Sequence, residues 1–335
     1  MGSKYMVGIN LVSDEPGARG ALRGKAVLVV LAACLGCSAT QPDRPKEPAS
    51  VSAPSQQSET SAAEAAERPV DPEASSAPSA PATFACAQVS CTTYATPGDA
   101  LAAALPANVR IVGFGEAHAP SGYVGRSTAR RFAEDLLPGL APRSKRLLVE
   151  LLAPPTGCEK AREDVQTESQ AITEGQAETN QNDYLELGHA ARRLGITPDI
   201  LRPSCQDMQA IAAAEIRVLA IMETIATLSV DVTKTWLAEA TEARSTVLLY
   251  GGALHNDLAP RQHLETWSYG PRLSDLSGGL YVEIDLVIPE LMQDSESWQK
   301  FPWYQAVRSL PPEHGPTLVQ VSAGSFALVF EPSRK

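Results

Sequence analysis

The chain is poor in aromatic residues and lacks several catalytic motifs that sequence alone can reveal. Aromatic side chains make up 5% of its 335 residues. It contains no Gly-x-Ser-x-Gly turn, no phosphate-binding P-loop and no Gly-x-Gly-x-x-Gly segment. The sequence therefore gives no support for a serine-hydrolase elbow, a P-loop nucleotide site or a dinucleotide site.

Positive charge is also scarce relative to negative charge. The chain has 28 Lys and Arg residues against 39 Asp and Glu residues, a net charge of −11. Nucleic acids and anionic lipid surfaces attract proteins mainly through basic residues. We therefore expect neither to be a partner of this protein.

No apolar run in the chain is long enough to span a bilayer as a helix. The longest near the N-terminus covers residues 26–33, well short of the ~20 apolar residues that spanning requires. It follows Arg23 and Lys25, as the apolar part of an export signal follows its basic part. Leu31-Ala32-Ala33-Cys34 looks like a bacterial lipobox, in which Cys34 is lipidated. Cys37 is a second candidate for lipidation. The alternative is an ordinary cleaved signal peptide with incidental cysteines. We predict a lipoprotein signal peptide over residues 1–36.

A tether is predicted over residues 37–83. Its composition is dominated by Pro, Ala, Ser and Glu, which cannot bury enough apolar surface to offset chain entropy. We expect a disordered linker there, with one folded domain over residues 84–332. The predicted localisation is export followed by lipid anchoring at the bacterial cell envelope, at the outer membrane, with the bilayer as a partner through the acyl anchor.

Four cysteines fall in the predicted domain, and four cysteines allow three pairings. An exported protein favours disulfides over free thiols or metal ligands. We favour a local Cys86–Cys91 bridge and a longer Cys158–Cys205 bridge.

The domain alternates strand-like and helix-like segments. Continuous apolar runs precede Gly115, Glu150 and Gly252, and helix-like segments separate them. That alternation predicts an α/β fold, with a mostly parallel sheet covered by helices on both faces. The first of these helices is expected over residues 126–137, ending before Pro138.

Two Gly-x-x-His segments stand directly after strand-like runs, Gly115–His118 and Gly252–His255. Ligands bind at the carboxyl ends of parallel strands in open α/β sheets. Glu116 and His118 are two residues apart in an extended segment before Pro120, so their side chains share one face. The alternative is local: Glu116 caps a helix and His118 bonds a backbone carbonyl.

Glu150 ends another apolar run, where a buried carboxylate needs a partner. Arg126 and Arg130 are spaced to lie on one helix face; they either clamp an anionic substrate group or neutralise Glu116 and Glu150. Asn256 and Asp257 follow His255 and could orient its ring, or one of them could cap a short helix. The remaining histidines are expected to be structural or exposed: His189, His263 and His314.

These motifs resemble those of the TIKI superfamily, which groups TraB-like proteins, ChaN-like haem-binding lipoproteins and erythromycin esterases. The matching positions are Gly115–His118, Glu150 and Gly252–His255, and the Gly-Glu-x-His form is most similar to the ChaN and erythromycin esterase branches. The resemblance covers residues 109–287. The long tether, the four cysteines and the polar stretch over residues 159–182 depart from the pattern.

Three functions are considered, and the resemblance implies the first two. The first is a hydrolase acting on a small molecule or peptide, in which Glu116, His118, Glu150 and His255 are catalytic and either bind a divalent metal or activate water directly. The second is a lipoprotein that uses the same pocket to bind haem or iron without turnover. The third is a non-catalytic envelope scaffold. Divalent metal and haem are thus both candidate cofactors, and the hydrolase is favoured.

Overall fold

The computed structural model describes residues 32–33, 80–177, 179–239 and 245–333. The predicted signal peptide apart from residues 32–33, with Cys34, and nearly all of the predicted linker, with Cys37, lie outside the described residues. In the described part of the chain, no helix is both long and apolar enough to cross a membrane.

The domain is built on a ten-stranded, mostly parallel sheet with helices on both faces, which confirms the predicted α/β class. The strands are β1 (Ala32–Ala33), β2 (Ala82–Cys86), β3 (Val89–Thr93), β4 (Ile111–Glu116), β5 (Ser144–Leu152), β6 (Thr197–Leu201), β7 (Thr246–Gly252), β8 (Tyr281–Val287), β9 (Thr317–Ser322) and β10 (Ser325–Val329). Their order is β1-β5-β7-β4-β8-β10-β9-β3-β2, and β6 also pairs with β5.

Helices connect the strands. They are α1 (Pro97–Ala104), α2 (Thr128–Arg131), α3 (Leu137–Leu140), α4 (Glu159–Thr173), α5 (Thr179–Arg193), α6 (Cys205–Ala213), α7 (Arg217–Glu239), α8 (Ala253–Asn256), α9 (Gly270–Ser277), α10 (Glu296–Gln299) and α11 (Tyr304–Arg308). A π-helical turn, Phe132–Leu136, joins α2 to α3, and short 3₁₀ turns cover Glu265–Trp267 and Pro289–Leu291.

Strand β4 is the centre of the parallel part of the sheet. It pairs in parallel with β7 on one side and with β8 on the other. The chain leaves β4 for β5, which lies beyond β7, and later leaves β7 for β8, which lies beyond β4. The connections after β4 and β7 thus begin at the same carboxyl edge, where open α/β sheets bind ligands.

Side chains of β4 alternate between two separate cores, as the two-residue period of a strand requires. Val112 and Phe114 pack on the face covered by α1, α3 and α5, together with Phe132. Ile111 packs on the opposite face, against α6, α7 and α9. Both cores are fully buried at β4, which explains why this strand reads as an unbroken apolar run.

The helix after His118 begins later and ends later than predicted. It starts at Thr128, with Ser127 as its N-cap, and continues past Pro138 to Leu140. Proline usually breaks a helix because it lacks an N–H and its ring collides with a preceding carbonyl. Here the turn before it is π-helical, with the Leu137 N–H bonded to the Phe132 carbonyl, and this wider turn accommodates the ring.

Both predicted disulfides are present. Cys86 and Cys91 join β2 to β3, a hairpin that the sequence did not reveal, and Cys158 joins the start of α4 to Cys205 at the start of α6. The Cα–Cα distance is 5.8 Å in each, which is typical of disulfides.

Candidate functional site

Glu116 and His118 form a hydrogen-bonded pair at the carboxyl end of the central strand. Glu116 is the last residue of β4, and the His118 Nδ1 lies 3.0 Å from Glu116 Oε1. Both side chains are buried, with exposures of 4% and 3% respectively. The extended backbone before Pro120 thus places the two side chains together.

Two tyrosines complete the surroundings of the Glu116 carboxylate. The Tyr184 hydroxyl, from α5, donates to Oε1 at 2.8 Å, and the Tyr250 hydroxyl, from β7, donates to Oε2. With His118, three donors converge on one buried carboxylate. Hydrogen bonds to a charged acceptor are the strong ones, so this network fixes the carboxylate in place. Burial, followed by the charge of Glu116, raises the pKa of both tyrosines well above 10, and they remain donors.

The pKa of His118 is raised above its usual value of 6.5. Burial acts to lower it, but the hydrogen bond and charge of Glu116, together with the charge of Glu150, outweigh that effect. Because Nδ1–H donates to Glu116, the neutral ring carries its lone pair on Nε2. That Nε2 atom is buried and has no hydrogen-bond partner among the described residues.

His255 repeats this arrangement with different partners. Its Nδ1 lies 2.7 Å from the Trp267 carbonyl, which can only accept, so Nδ1 carries the proton. Its Nε2 lies 3.4 Å from Glu150 Oε1 without hydrogen-bond geometry. Glu150 Oε2 in turn accepts the backbone N–H of Gly252 at 2.8 Å. Each histidine therefore has one nitrogen fixed by an acceptor and Nε2 without a hydrogen bond.

The two carboxylates lie on opposite faces of β7. Tyr250 and Gly251 are adjacent in that strand, so they point to opposite faces. Tyr250 donates to Glu116, whereas Gly251 lies against Glu150. The four residues thus form two histidine–carboxylate pairs rather than one cluster of four. The pairs are still coupled, because the charge of Glu150 acts on His118.

A glycine of the first motif and the glycine just before the second make this close packing sterically feasible. A Cβ at Gly251 would overlap the Glu150 side chain, and a Cβ at Gly115 would overlap the Asn256 side chain and lie 2.7 Å from the Ala253 Cα. Real Cβ atoms do not approach backbone so closely. The glycines before each histidine are therefore required by contact between strands and by contact with α8.

Arg126 and Arg130 are engaged elsewhere. Arg126 pairs with Glu134 at 2.8 Å and with Asp135 at 3.4 Å, and Arg130 pairs with Glu134 at 2.9 Å. These acidic partners lie on the helical segment that includes Arg130 and directly follows Arg126, and the arginine side chains are 43% and 61% exposed. That these two arginines bind substrate stays a prediction. The alternative, that they neutralise Glu116 and Glu150 by pairing with them directly, is wrong.

Asn256 and Asp257 do not orient the His255 ring as predicted, because the Trp267 carbonyl does so. The helical turn of α8 directs Asn256 away from the ring, and its Nδ2 donates to the Gly113 carbonyl and to Asp285, each at 3.3 Å. Asp257 accepts the backbone N–H of Ala259.

The other histidines lie apart from these pairs. His189 is 55% exposed on α5 and lies 3.4 Å from Glu186. The His314 Nδ1 lies 2.7 Å from the Gly315 carbonyl. His263 has a positive φ of 70°.

Four residues of the site are missed by sequence reasoning: Tyr184, Tyr250, Trp267 and Asp285. Tyr184 and Trp267 approach from distant segments, so no local pattern marks them. Asp285 did leave a signal, because Glu283 and Asp285 are acidic residues two apart in an apolar strand and therefore share a face.

The resemblance implies a metal ion, but the described residues offer no complete set of ligands for one. Among the described residues, no three His, Cys, Asp or Glu side chains stand together as a ligand group. Glu116 also has its oxygens engaged by a histidine and two tyrosines. As arranged, these residues do not fit a metal centre, and metal and haem binding stay predictions.

Comparison with known proteins identifies no family. No protein-family model matches the chain, and no curated protein matches it. A solved structure described as that of the type III effector HopBA1 is similar over 71% of this chain and 94% of that one, with 15% sequence identity and a TM-score of 0.39. Similarity of that extent carries no argument about function.

Proposed function

We propose that this protein is a hydrolase of the TIKI and erythromycin esterase type, in which His118 activates water directly. The observation that carries the proposal is the state of its ring, with Nδ1–H donated to Glu116 and Nε2 buried without a partner. A general base needs a fixed tautomer and a free lone pair, and this histidine has both.

The chemistry follows from that tautomer. Nε2 takes a proton from a water molecule, and the resulting hydroxide attacks the carbonyl carbon of an ester or amide. The tetrahedral intermediate then breaks its bond to the leaving group, which receives the proton from Nε2. The Glu116 carboxylate stabilises the imidazolium while the ring carries the proton, as the carboxylate partner of a catalytic histidine does.

Glu150 and His255 support this step from the other face of β7. The negative charge of Glu150 contributes to the raised pKa of His118, and so favours the proton-bearing state of that ring. His255 is held 3.4 Å from Glu150 by its bond to the Trp267 carbonyl. In the proposal, Glu150 acts on the base through space and His255 positions Glu150.

Hydrolysis of p-nitrophenyl esters and of a peptide panel tests the proposal. We expect His118→Ala to lower kcat/KM at least about 100-fold, the usual minimum contribution of a general base. His189→Ala is the matched control, because that histidine is exposed on α5. Absence of turnover in the unchanged protein, or equal turnover in His118→Ala, would contradict the proposal.

Haem or iron binding without turnover is the second candidate. It is favoured by the two buried Nε2 atoms, neither of which has a hydrogen-bond partner among the described residues; that of His255 lies 3.4 Å from Glu150. A Soret shift on adding haem, abolished in His118→Ala and in His255→Ala, would support it. If the protein shows neither hydrolysis nor haem binding, the non-catalytic envelope scaffold is favoured.

The same proposal places the enzyme at the cell envelope, held by a lipid on Cys34 or Cys37. It rests on the apolar run, on the small residues before each cysteine and on the two disulfides, which belong to oxidising compartments. The substrate is then a small molecule or peptide that reaches the envelope.

A further inference from the structure

A cleft of about 330 Å³, part of it open to solvent, lies at the same carboxyl edge of the sheet. Its backbone wall includes Gly115 and Ala117 from the first Gly-x-x-His segment and Ala253 from the second. Ala117 stands between Glu116 and His118 in the chain. The cleft is thus lined by residues of both motifs.

The opposite wall of the cleft is aromatic. Phe301 and Trp303 are stacked with ring centroids 5.0 Å apart, and Trp298 meets Trp303 edge-on at 6.2 Å. Arg261 lies 5.3 Å from the Phe301 centroid, so this wall already attracts one cation. Three neighbouring rings in a chain with few aromatics form a surface suited to a cationic ligand with apolar substituents.

A buried carboxylate, Asp285, also lines the cleft. It accepts hydrogen bonds from Trp303 Nε1 at 2.6 Å and from Asn256 Nδ2 at 3.3 Å. Both donors are neutral, and within the described ranges no Lys, Arg or His forms an ion pair with this carboxylate. Buried carboxylates are normally paired with a cation, so this one lacks the partner that burial calls for.

We infer that the cleft binds an alkylammonium group, with the positive nitrogen facing Asp285 and the alkyl substituents against Trp298, Phe301 and Trp303. The ligand supplies the missing counter-charge while its apolar surface is removed from water. Burial raises the pKa of Asp285 to about 7, so the carboxylate is mostly ionised at mildly alkaline pH.

The inference concerns recognition and does not depend on hydrolysis. If His118 is a general base, the cleft selects substrates that carry an alkylammonium group near the scissile bond. Binding is measured without turnover, so failure of one proposal leaves the other standing.

Choline and 3,3-dimethylbutan-1-ol are a matched pair of probes, since they differ in little except the positive charge. Calorimetric titration of the full-length chain at pH 8 should show that choline binds about tenfold more tightly than the neutral alcohol. This is the advantage expected of a partly desolvated cation on aromatic rings. A separate experiment uses phosphatidylcholine vesicles. If the protein co-sediments with them, the alkylammonium ligand is a lipid headgroup. If it does not, the ligand is a soluble compound.

Two kinds of variant distinguish charge from shape. Asp285→Asn keeps the side chain's size and should bring the affinity ratio of the two probes close to one. Trp298 is only partly buried, so its replacement should be tolerated: Trp298→Leu should weaken choline binding several-fold, whereas Trp298→Phe keeps a ring and should retain most of it.

Two results would overturn the inference. The first is equal or tighter binding of the neutral alcohol by the unchanged protein, which would make the cleft a purely apolar subsite. The second is the absence of saturable choline binding at tens of millimolar.

Discussion

The His118 Nδ1 lies 3.0 Å from Glu116 Oε1, and this contact determines which nitrogen of the ring is free. The Tyr184 and Tyr250 hydroxyls hold the same carboxylate. A free Nε2 on a ring that is held from behind is the feature on which the functional proposal depends.

The first prediction concerns the pH dependence of hydrolysis. The pKa of His118 is raised, and a base must be deprotonated to act, so activity should rise with pH through a midpoint above 6.5. Glu116→Gln removes the hydrogen bond to an ionised partner and the charge that raise this pKa. The midpoint should therefore move to lower pH while kcat falls at every pH. An unchanged midpoint in the kcat/KM profile would show that another group titrates.

The second prediction concerns the tyrosines that hold Glu116. Tyr184→Phe removes a donor to a buried carboxylate and should lower the free energy of unfolding by about 1.5–3 kcal/mol, the usual contribution of a hydrogen bond to a charged group. Tyr94→Phe is the control, since Tyr94 is half-buried away from Glu116 and should change stability by less than about 0.5 kcal/mol. Urea denaturation measures both, and equal losses would argue against the network.

The third prediction concerns the glycine just before the second Gly-x-x-His segment. Gly251→Ala forces a Cβ onto the Glu150 side chain and should destabilise the protein by about 1–3 kcal/mol, as overpacking does. Gly139→Ala is a matched control in α3, where an added Cβ meets nothing within 4 Å. That change should stabilise the protein by up to about 1 kcal/mol, because alanine loses less backbone entropy. Thermal unfolding of the two variants should thus shift in opposite directions.

The fourth prediction compares the two disulfides. Cys158 and Cys205 are separated by 47 residues, and Cys86 and Cys91 by 5. In the chain-entropy account, the longer loop stabilises by about 4 kcal/mol and the shorter by about 2 kcal/mol. Replacing both cysteines of the longer bridge by serine should therefore lower the unfolding midpoint more. The reverse order would show that strain or residual structure outweighs loop entropy.

The fifth prediction concerns the lipid anchor. In a bacterial host, the full-length chain should incorporate an alkyne-labelled fatty acid. Cys34→Ala should abolish the labelling if Cys34 is the acceptor, and Cys37→Ala should leave it intact. Labelling that persists when both cysteines are replaced would contradict the lipoprotein proposal.

Much of the site's local arrangement follows from the sequence. An extended segment before Pro120 places Glu116 and His118 on one face, and the pairing does not depend on any distant residue. The strand before Gly115 is fully buried, as its apolar run indicates. The end of the helix that follows His118 was predicted wrongly, because a π-helical turn accommodates Pro138 and no local sequence pattern indicates such a turn.

Contacts between distant segments could not be predicted in the same way. Tyr250 reaches Glu116 across 134 residues of sequence, and the ring of His255 is oriented by the carbonyl of Trp267, a backbone group that every residue carries. Arg126, just before the helix, and Arg130, on it, pair with acidic residues further along the chain, because Glu134 and Asp135 lie within reach there.

Periodicity and spacing in the sequence were enough to indicate the α/β class and the delivery of two histidines to strand ends. The sequence favoured one of the three possible cysteine pairings without deciding among them. That Glu116 and Glu150 lie on opposite faces of β7, and that an aromatic cleft is lined by Gly115 and Ala117, emerged from the folded structure alone. The two-residue period of a strand fixes which side chains share a face. Strand order and register, which are set by packing of the whole sheet, decide what each face meets.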